Sequence, residues 1–300
     1  MEDLLAAFDR AEQRALARAI TQCESGLGEP LVRAVFERAG RAMTIGLTGP
    51  PGVGKSTLTA SLVVRLRRLN KTVGVISVDP SSPFSHGALL GDRIRLSEHF
   101  VDPGVFIRSM ASRGHLGGVA GATADAATLM DAFGLDVVLI ETVGVGQAEI
   151  EIAEIADTVL VALQPGSGDS VQMLKAGILE IADVFVVNKR DHPMASQLQR
   201  DIRSMMEMID YGGWVPRLIA TQAIDGQGVD ELWNAILEHD AYLRSSGAIA
   251  HKRRAAYEHR VRALALGVLE RRVEGAVAAL PAGRDPYAAA HDVLAQFGAP

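Results

Sequence analysis

A chain of 300 residues, 48% hydrophobic and 22% charged, is long enough for one or two domains, which excludes a mini-protein and a disordered tail. The formal charge of -6 gives no global excess of positive charge, so neither nucleic acid nor an anionic membrane is expected as a partner. A single cysteine, Cys23, excludes an intramolecular disulfide, a zinc ribbon and a CxxC redox pair, and suits a reducing, cytoplasmic setting.

The opening Met1-Glu-Asp-Leu-Leu lacks the basic and apolar regions of a signal peptide, and no apolar run approaches the ~20 residues of a membrane span. A soluble cytoplasmic protein is therefore expected. Over residues 3–40, Leu and Ala recur at helical spacing with a break at Gly26-Leu-Gly-Glu-Pro30, which predicts two helices packed on the domain that follows. Short β-branched runs at 43–48, 72–78, 105–109, 136–141, 158–163, 183–188 and 217–221 then alternate with helical patterns. That alternation predicts an α/β fold with a doubly wound, mostly parallel sheet. Runs such as VVLIE, VLVAL and VFVVN are apolar on both pleat faces, as strands covered by helices on both sides must be.

After Leu243, Ser245-Ser-Gly247 reads as a hinge, and Tyr257, Val261, Leu264 and Val268 then share one helical face; a second short helix follows Pro286. Lys252-Arg-Arg254 and Arg271-Arg272 read as a solvated face, and the segment as an arm for dimerisation. The expected organisation is an N-terminal helical extension (1–42), a nucleotide domain (43–240) and a C-terminal helical arm (241–300).

Gly49-Pro-Pro-Gly-Val-Gly-Lys-Ser56 matches GxxxxGK[ST] between an expected strand and an expected helix, the context that a P-loop requires. Its backbone N–H groups, with the helix N-terminus, suit phosphates; Lys55 suits the terminal phosphates, and the Ser56 hydroxyl suits Mg2+. About 130 residues later, Asn188-Lys-Arg-Asp191 follows an apolar strand in the NKxD pattern of G proteins. An aspartate there accepts from guanine N1–H and the exocyclic amine, whereas adenine presents an acceptor at N1 and no amine at C2, so GTP is favoured over ATP. Lys189 can lie its stem over the base, Asn188 can tie this loop to the phosphate loop, and Thr221-Gln-Ala-Ile224, with Gln222, Ala223 and Ile224 as the candidate contacts, sits where the last base-contacting loop belongs.

Three carboxylates are candidates for the Mg2+ neighbourhood: Asp79 ending the second strand, Asp92 beyond it and Glu141 ending the strand 136–141. Glu141-Thr-Val-Gly144 has the form of a DxxG switch with the longer Glu in place of Asp. Val145 follows Gly144, so the water-orienting glutamine that some G proteins carry there is missing, and slow unassisted hydrolysis is expected.

Together, Ala15-Leu-Ala-Arg-Ala-Ile20, GLTGPPGVGKST, Val78-Asp-Pro-Ser-Ser82, Gly91-Asp-Arg93, Glu141-Thr-Val-Gly-Val-Gly-Gln147 and Asn188-Lys-Arg-Asp191 resemble the MeaB/ArgK G proteins, the family that includes the methylmalonic aciduria type A protein. The resemblance implies the fold class of signal-recognition GTPases and MinD-like ATPases. It implies GTP hydrolysis with Mg2+ and a chaperone role toward an adenosylcobalamin-dependent acyl-CoA mutase, chiefly methylmalonyl-CoA mutase. By the same carry-over, Gly49 to Thr57 (Gly49, Pro50, Pro51, Gly52, Val53, Gly54, Lys55, Ser56 and Thr57) bind phosphates, with Lys55, Asp92 and Glu141 serving hydrolysis. Asp191 binds guanine, and Ser56, Asp79, Asp92 and Glu141 surround the magnesium. Gly144 and Gln147 belong to one switch. A further mobile loop maps to Gln164-Pro-Gly-Ser-Gly-Asp-Ser170, with Gln164, Gly166, Gly168 and Asp169, and with Lys175 behind it.

The chain departs from the usual pattern at Ala148, where serine is common before Glu149, and at Gln222, where the loop more often reads Ser-Ala; one lost hydrogen bond there is worth about 1 kcal/mol. No DxHxxG cobalamin motif occurs, so adenosylcobalamin is expected only on the partner mutase. Other readings are a P-loop kinase acting from ATP, a nickel-inserting GTPase metallochaperone, and a scaffold with structural nucleotide. Scattered histidines and a lone Cys23 argue against nickel, and Asp191 against ATP.

Overall fold

The computed structural model describes residues 1–80, 99–112, 118–142, 151–167, 178–281, 283 and 285–297. Seven strands, β1 (Met43–Thr48), β2 (Val73–Pro80), β3 (Val105–Ser112), β4 (Val137–Glu141), β5 (Thr158–Leu163), β6 (Val184–Val187) and β7 (Arg217–Ala220), form one sheet. Their order is β3-β2-β4-β1-β5-β6-β7. Every pair is parallel, so the expected mostly parallel sheet is parallel throughout among the described residues. In β4, β5 and β6 each residue is buried, because helices cover both faces and leave no solvated side of the pleat.

Three helices, not two, precede β1: α1 (Glu2–Asp9), α2 (Gln13–Glu24) and α3 (Glu29–Val35), followed by a 3-10 turn at Phe36–Arg38. The extra break falls at Ala11, whose φ of 57° lies in the left-handed region and turns the chain between α1 and α2. Leu4, Phe8, Leu16, Ile20, Leu31 and Val35 are buried in one cluster with Ala126, Leu129 and Met130 of α5 (Gly118–Phe133), and Phe8 meets Phe133 edge-on at 5.2 Å. These helices therefore pack on one face of the sheet, as expected.

The opposite face is covered by α4 (Lys55–Arg68) and α8 (Val229–Ser245), which bury Leu58, Leu62, Leu66, Leu232, Trp233 and Ile236 against β1, β4 and β5. The short α6 (Ile178–Ile181) and the amphipathic α7 (Ala195–Met206) flank β6. Gly247, at φ +75°, separates α8 from the 31-residue α9 (Ala248–Ala278), and α10 (Pro286–Ala295) is capped by Asp285. Tyr257, Val261, Leu264 and Val268 are 44–58% exposed on α9. Among the described residues no helix is long and apolar enough to cross a membrane.

One expectation fails at the start of α9. Lys252 and Arg253 are not a solvated face: Lys252 donates to the Asp157 carbonyl at 2.7 Å and to the Asp183 carboxylate at 3.0 Å. Arg253 grips both Asp157 carboxylate oxygens at 3.0 and 2.8 Å and also donates to the Gly40 and Ala42 carbonyls at 2.6 and 3.2 Å. Arg254 instead pairs with Glu258 and lies over the Tyr257 ring on the exposed side. Partners remote in sequence set which of three adjacent cations turns inward.

Candidate functional site

The site lies at the C-terminal ends of the parallel strands, where open α/β sheets bind ligands. Between β1 and α4, Gly49, Gly52 and Gly54 take φ values of +145°, +79° and +93°. A Cβ on Gly49 would collide with the Ala162 carbonyl, and one on Gly54 would stand 2.7 Å from Asn188 Nδ2, so two of these positions demand glycine by shape as well as by dihedral. Val53, fully buried, anchors the loop in the core. The 14-residue α4 begins at Lys55, which sets its N-terminal N–H groups and positive end toward the loop.

Lys55 is 7% exposed and donates to the Gly49 and Pro50 carbonyls at 2.7 and 3.0 Å, so its cation lies across the loop that would enclose phosphate. Ser56 donates to Glu141 Oε1 at 2.6 Å. The other oxygen, Glu141 Oε2, accepts from Thr59 at 2.9 Å. Glu141 ends β4 between Leu47 of β1 and Ser77 of β2, which places its carboxylate centrally and 5% exposed. Next to it, Thr142 bonds Thr48 hydroxyl to hydroxyl at 3.0 Å and donates its N–H to the Leu47 carbonyl, tying the start of the switch sequence to the strand that feeds the P-loop.

The second half of the site is held by Asn188. Its Nδ2 donates to the Val53 carbonyl at 2.8 Å, and its Oδ1 accepts from the Thr221 hydroxyl and the Ala223 N–H, each at 3.1 Å. One buried amide thus joins the P-loop, the NKRD loop and the loop after β7. Lys189, at a left-handed φ of 58°, extends its amine to the Gly52 carbonyl at 3.0 Å and to the Gln164 carboxamide. Asp191 is exposed beside it, Arg190 N–H bonds the Thr221 carbonyl at 2.9 Å, and Gln222 pairs with Asp225. Ile224 is 79% exposed at the rim, and Gly166 adopts φ +74° near His192.

Lys55, Ser56, Glu141, Asn188, Lys189, Ala223 and Gln164 are therefore brought into one connected neighbourhood. Asp79 occupies the C-terminal end of β2, one strand away from Glu141, and only its backbone is described. Asp92, Gly144, Gln147, Gly168, Asp169 and Lys175 lie outside the described residues. Sequence reasoning missed Thr59, the Thr48–Thr142 pair, and Ser61, whose hydroxyl donates to the Ala223 carbonyl at 2.5 Å. Helical spacing held one signal: Ser56 and Thr59, three apart, share a face of α4.

The model of the family "Methylmalonyl Co-A mutase-associated GTPase MeaB" matches residues 16–278. A protein of Pyrococcus horikoshii named as a GTPase is 44% identical over 98% of this chain and 97% of its own length. GTPase ArgK of Escherichia coli is 36% identical over 81% of this chain and 77% of its own. The mouse mitochondrial methylmalonic aciduria type A homolog is 34% identical over 83% of this chain and 65% of its own. Among solved structures, a LAO/AO transport system kinase superposes with a TM-score of 0.75 at 25% identity, covering 99% of this chain and 97% of the other. P-loop geometry, the NKRD loop at the end of β6 and these likenesses agree, and the chain belongs to the MeaB family of P-loop GTPases.

Proposed function

We propose that this GTPase is a chaperone of an adenosylcobalamin-dependent acyl-CoA mutase, with methylmalonyl-CoA mutase as its client, and that its nucleotide state gates cofactor loading and protects the mutase. The observation that carries the reading is the wiring of the nucleotide site to the first residues of two motif segments. Ser56 bonds Glu141, the first residue of the Glu141-to-Gln147 switch, and Lys189 bonds Gln164, which opens the Gln164-to-Ser170 loop. The family's name supports this choice of client.

In this reading the P-loop N–H groups and Lys55 hold the β- and γ-phosphates, and Asp191 reads guanine with Gln222, Ala223 and Ile224 beside it. The donor set suits Mg2+: an alcohol from Ser56 with the hard carboxylates of Asp79 and Glu141 at strand ends and of Asp92, which follows β2 in the chain, holding it directly or through water. When bound, Mg2+ neutralises charge developing on the phosphate oxygens. With Val145 in the usual glutamine position, the chain orients the attacking water poorly by itself, so intrinsic turnover is slow and the GTP state persists as a timer.

Residues 1–42 serve as a helical extension and 241–300 as an arm through which two copies pair by the exposed apolar face of α9. The protein works in the cytoplasm, and adenosylcobalamin stays on the mutase. The test follows mutase activity surviving prolonged turnover with the chaperone and GTP, GDP or no nucleotide. Survival should differ among the three, and equal survival in all would overturn the gating.

A further inference from the structure

We propose that Ser61 is a positioning residue for guanine recognition. From α4 it fixes the peptide that joins Ala223 to Ile224, so that the Ile224 N–H faces the place where guanine O6 would lie. This rests on the guanine reading of Asp191 and of Gln222 to Ile224 given above.

Packing by itself does not orient a peptide. Ala223 is 3% exposed and shares one apolar cluster with Leu58 and Leu62 of α4 and with Val229 and Leu232 of α8. Such burial is non-directional: it sets how closely the loop after β7 approaches α4, but not where the N–H and C=O groups of that loop point. Hydrogen bonds supply the direction, and Ala223 is held on both sides. Its N–H donates to Asn188 Oδ1 at 3.1 Å, and its carbonyl accepts from the Ser61 hydroxyl at 2.5 Å and from the Gly226 N–H at 3.2 Å.

These contacts divide into two kinds. The Gly226 bond closes the 3-10 turn Ala223–Asp225 from within, and Gln222 and Gln227 bond each other in both directions at 2.9 and 3.2 Å, so these bonds give the loop its shape and move with it. Asn188 and Ser61 belong to other elements and give that shape its placement. Ser61 has an alternative in its own helix, since a helical serine commonly donates to the carbonyl four residues back, and its Oγ lies 3.0 Å from the Thr57 carbonyl. The approach to Ala223, 162 residues away in sequence, is shorter, so the one hydroxyl proton is shared in favour of the loop. Because α4 opens at Lys55 of the P-loop, one rigid helix places both the phosphate-binding turn and the base-reading loop.

Peptide geometry carries this placement to the base. In a planar trans peptide, as all are among the described residues, the C=O and the following N–H point in opposite directions. Turning the Ala223 carbonyl toward α4 therefore turns the Ile224 N–H away from it, to the rim where Ile224 and Asp191 are exposed. A donor there suits guanine, whose O6 accepts, and opposes adenine, whose amine at the same carbon would meet it donor to donor. Asp191 takes the N1–H and the C2 amine, and the loop held by Ser61 takes the third polar atom of that edge. Ser61 itself touches no nucleotide and acts through Ala223.

The test uses the full-length chain without mutase, so it is independent of the client assignment. Dissociation constants for GDP, 6-thio-GDP and ADP are measured by calorimetry for the wild type and Ser61→Ala. The thio nucleotide keeps the N1–H and the C2 amine and replaces O6 with sulfur, a weak acceptor. Ser61 is half-buried and alanine is the better helix former, so the variant keeps the fold. Ser61→Ala should weaken GDP by roughly three- to tenfold, the worth of one hydrogen bond, and 6-thio-GDP by less than about twofold, so that the preference for oxygen over sulfur narrows. With GTP the loss should fall on KM rather than on kcat, because the base is held alike in the ground and transition states.

An unchanged GDP affinity in Ser61→Ala, or equal losses for GDP and 6-thio-GDP, would overturn the role of Ser61 in reading O6. A wild type that binds ADP as tightly as GDP would overturn the guanine reading itself.

Discussion

At the scale of single residues, His239 shows how the fold suppresses a charge. It is 1% exposed, with Nδ1 2.9 Å from Thr158 Oγ1, Nε2 3.2 Å from Asp183 Oδ1 and its ring 4.9 Å from Trp214. Burial holds its pKa below the ordinary histidine value, and Lys252 adds to this, against the opposing carboxylates of Asp183, Asp240 and Asp157. A neutral ring that accepts from Thr158 and donates to Asp183 fits these contacts. Because the folded pKa is depressed, the unfolded chain takes up a proton near pH 6.5 that the folded chain refuses. Stability is thus intact above about pH 6.5 and falls as pH drops below it. Thermal unfolding followed from pH 7.5 to pH 5.5 should show the midpoint declining for wild type and declining less for His239→Gln; equal slopes would contradict the assignment.

Motif residues were legible because their chemistry is contiguous. A P-loop is eight residues in a row, and NKRD is four. What could not be read are contacts between distant positions: Thr59 with Glu141, Thr221 with Asn188, and Ser61 with Ala223, separated by 82, 33 and 162 residues. A threonine inside a helix carries no mark of the carboxylate it will meet.

Among elements, the strands were the clearest. Runs apolar on both faces read as buried parallel strands, and all seven appear, with ends shifted by one to three residues at most where pairing extends or trims them; β3, for instance, continues to Ser112 along β2. Helices were less legible at their breaks, as Ala11 shows. The packing of α9 was least so, because it depends on cations meeting partners far away. Beyond Lys252 and Arg253, His259 lies 3.0 Å from Glu154 and Arg260 reaches Asp125 and, at 3.0 Å, Thr128 of α5. Polar anchors along roughly two turns therefore fix this end of α9 to the body, while its apolar positions further on stay exposed.

The Arg253 anchor is the strongest of these by geometry, a fork on the carboxylate of Asp157, whose side chain is only 6% exposed. Arg253→Ala leaves that carboxylate buried without its countercharge and two backbone carbonyls without their donor. The expected cost is about 2–4 kcal/mol, less than for a fully buried pair because Arg253 itself is 34% exposed. The unfolding midpoint should drop by roughly 3–6 °C, with Arg253→Lys recovering only part, since an ammonium cannot fork. GTP affinity should be unchanged, as Arg253 sits at the N-terminal end of the strands; an unchanged midpoint would contradict the anchor.

For the molecule as a whole, a parallel sheet gathers strand ends at one edge and so brings a phosphate loop, a carboxylate and a base-reading loop together from positions spread over 175 residues, from Gly49 to Ile224. The proposed chaperone adds to this core a nucleotide-dependent surface and a helical arm, with a client that controls the rate. The most direct measurement is phosphate release from GTP and, separately, from ATP, with and without a purified methylmalonyl-CoA mutase from the same organism, using Lys55→Ala as the blank. The account predicts slow turnover of GTP alone that rises when the mutase is added. Equal use of ATP, with no response to the mutase, would contradict both the reading of Asp191 and the assignment of the client.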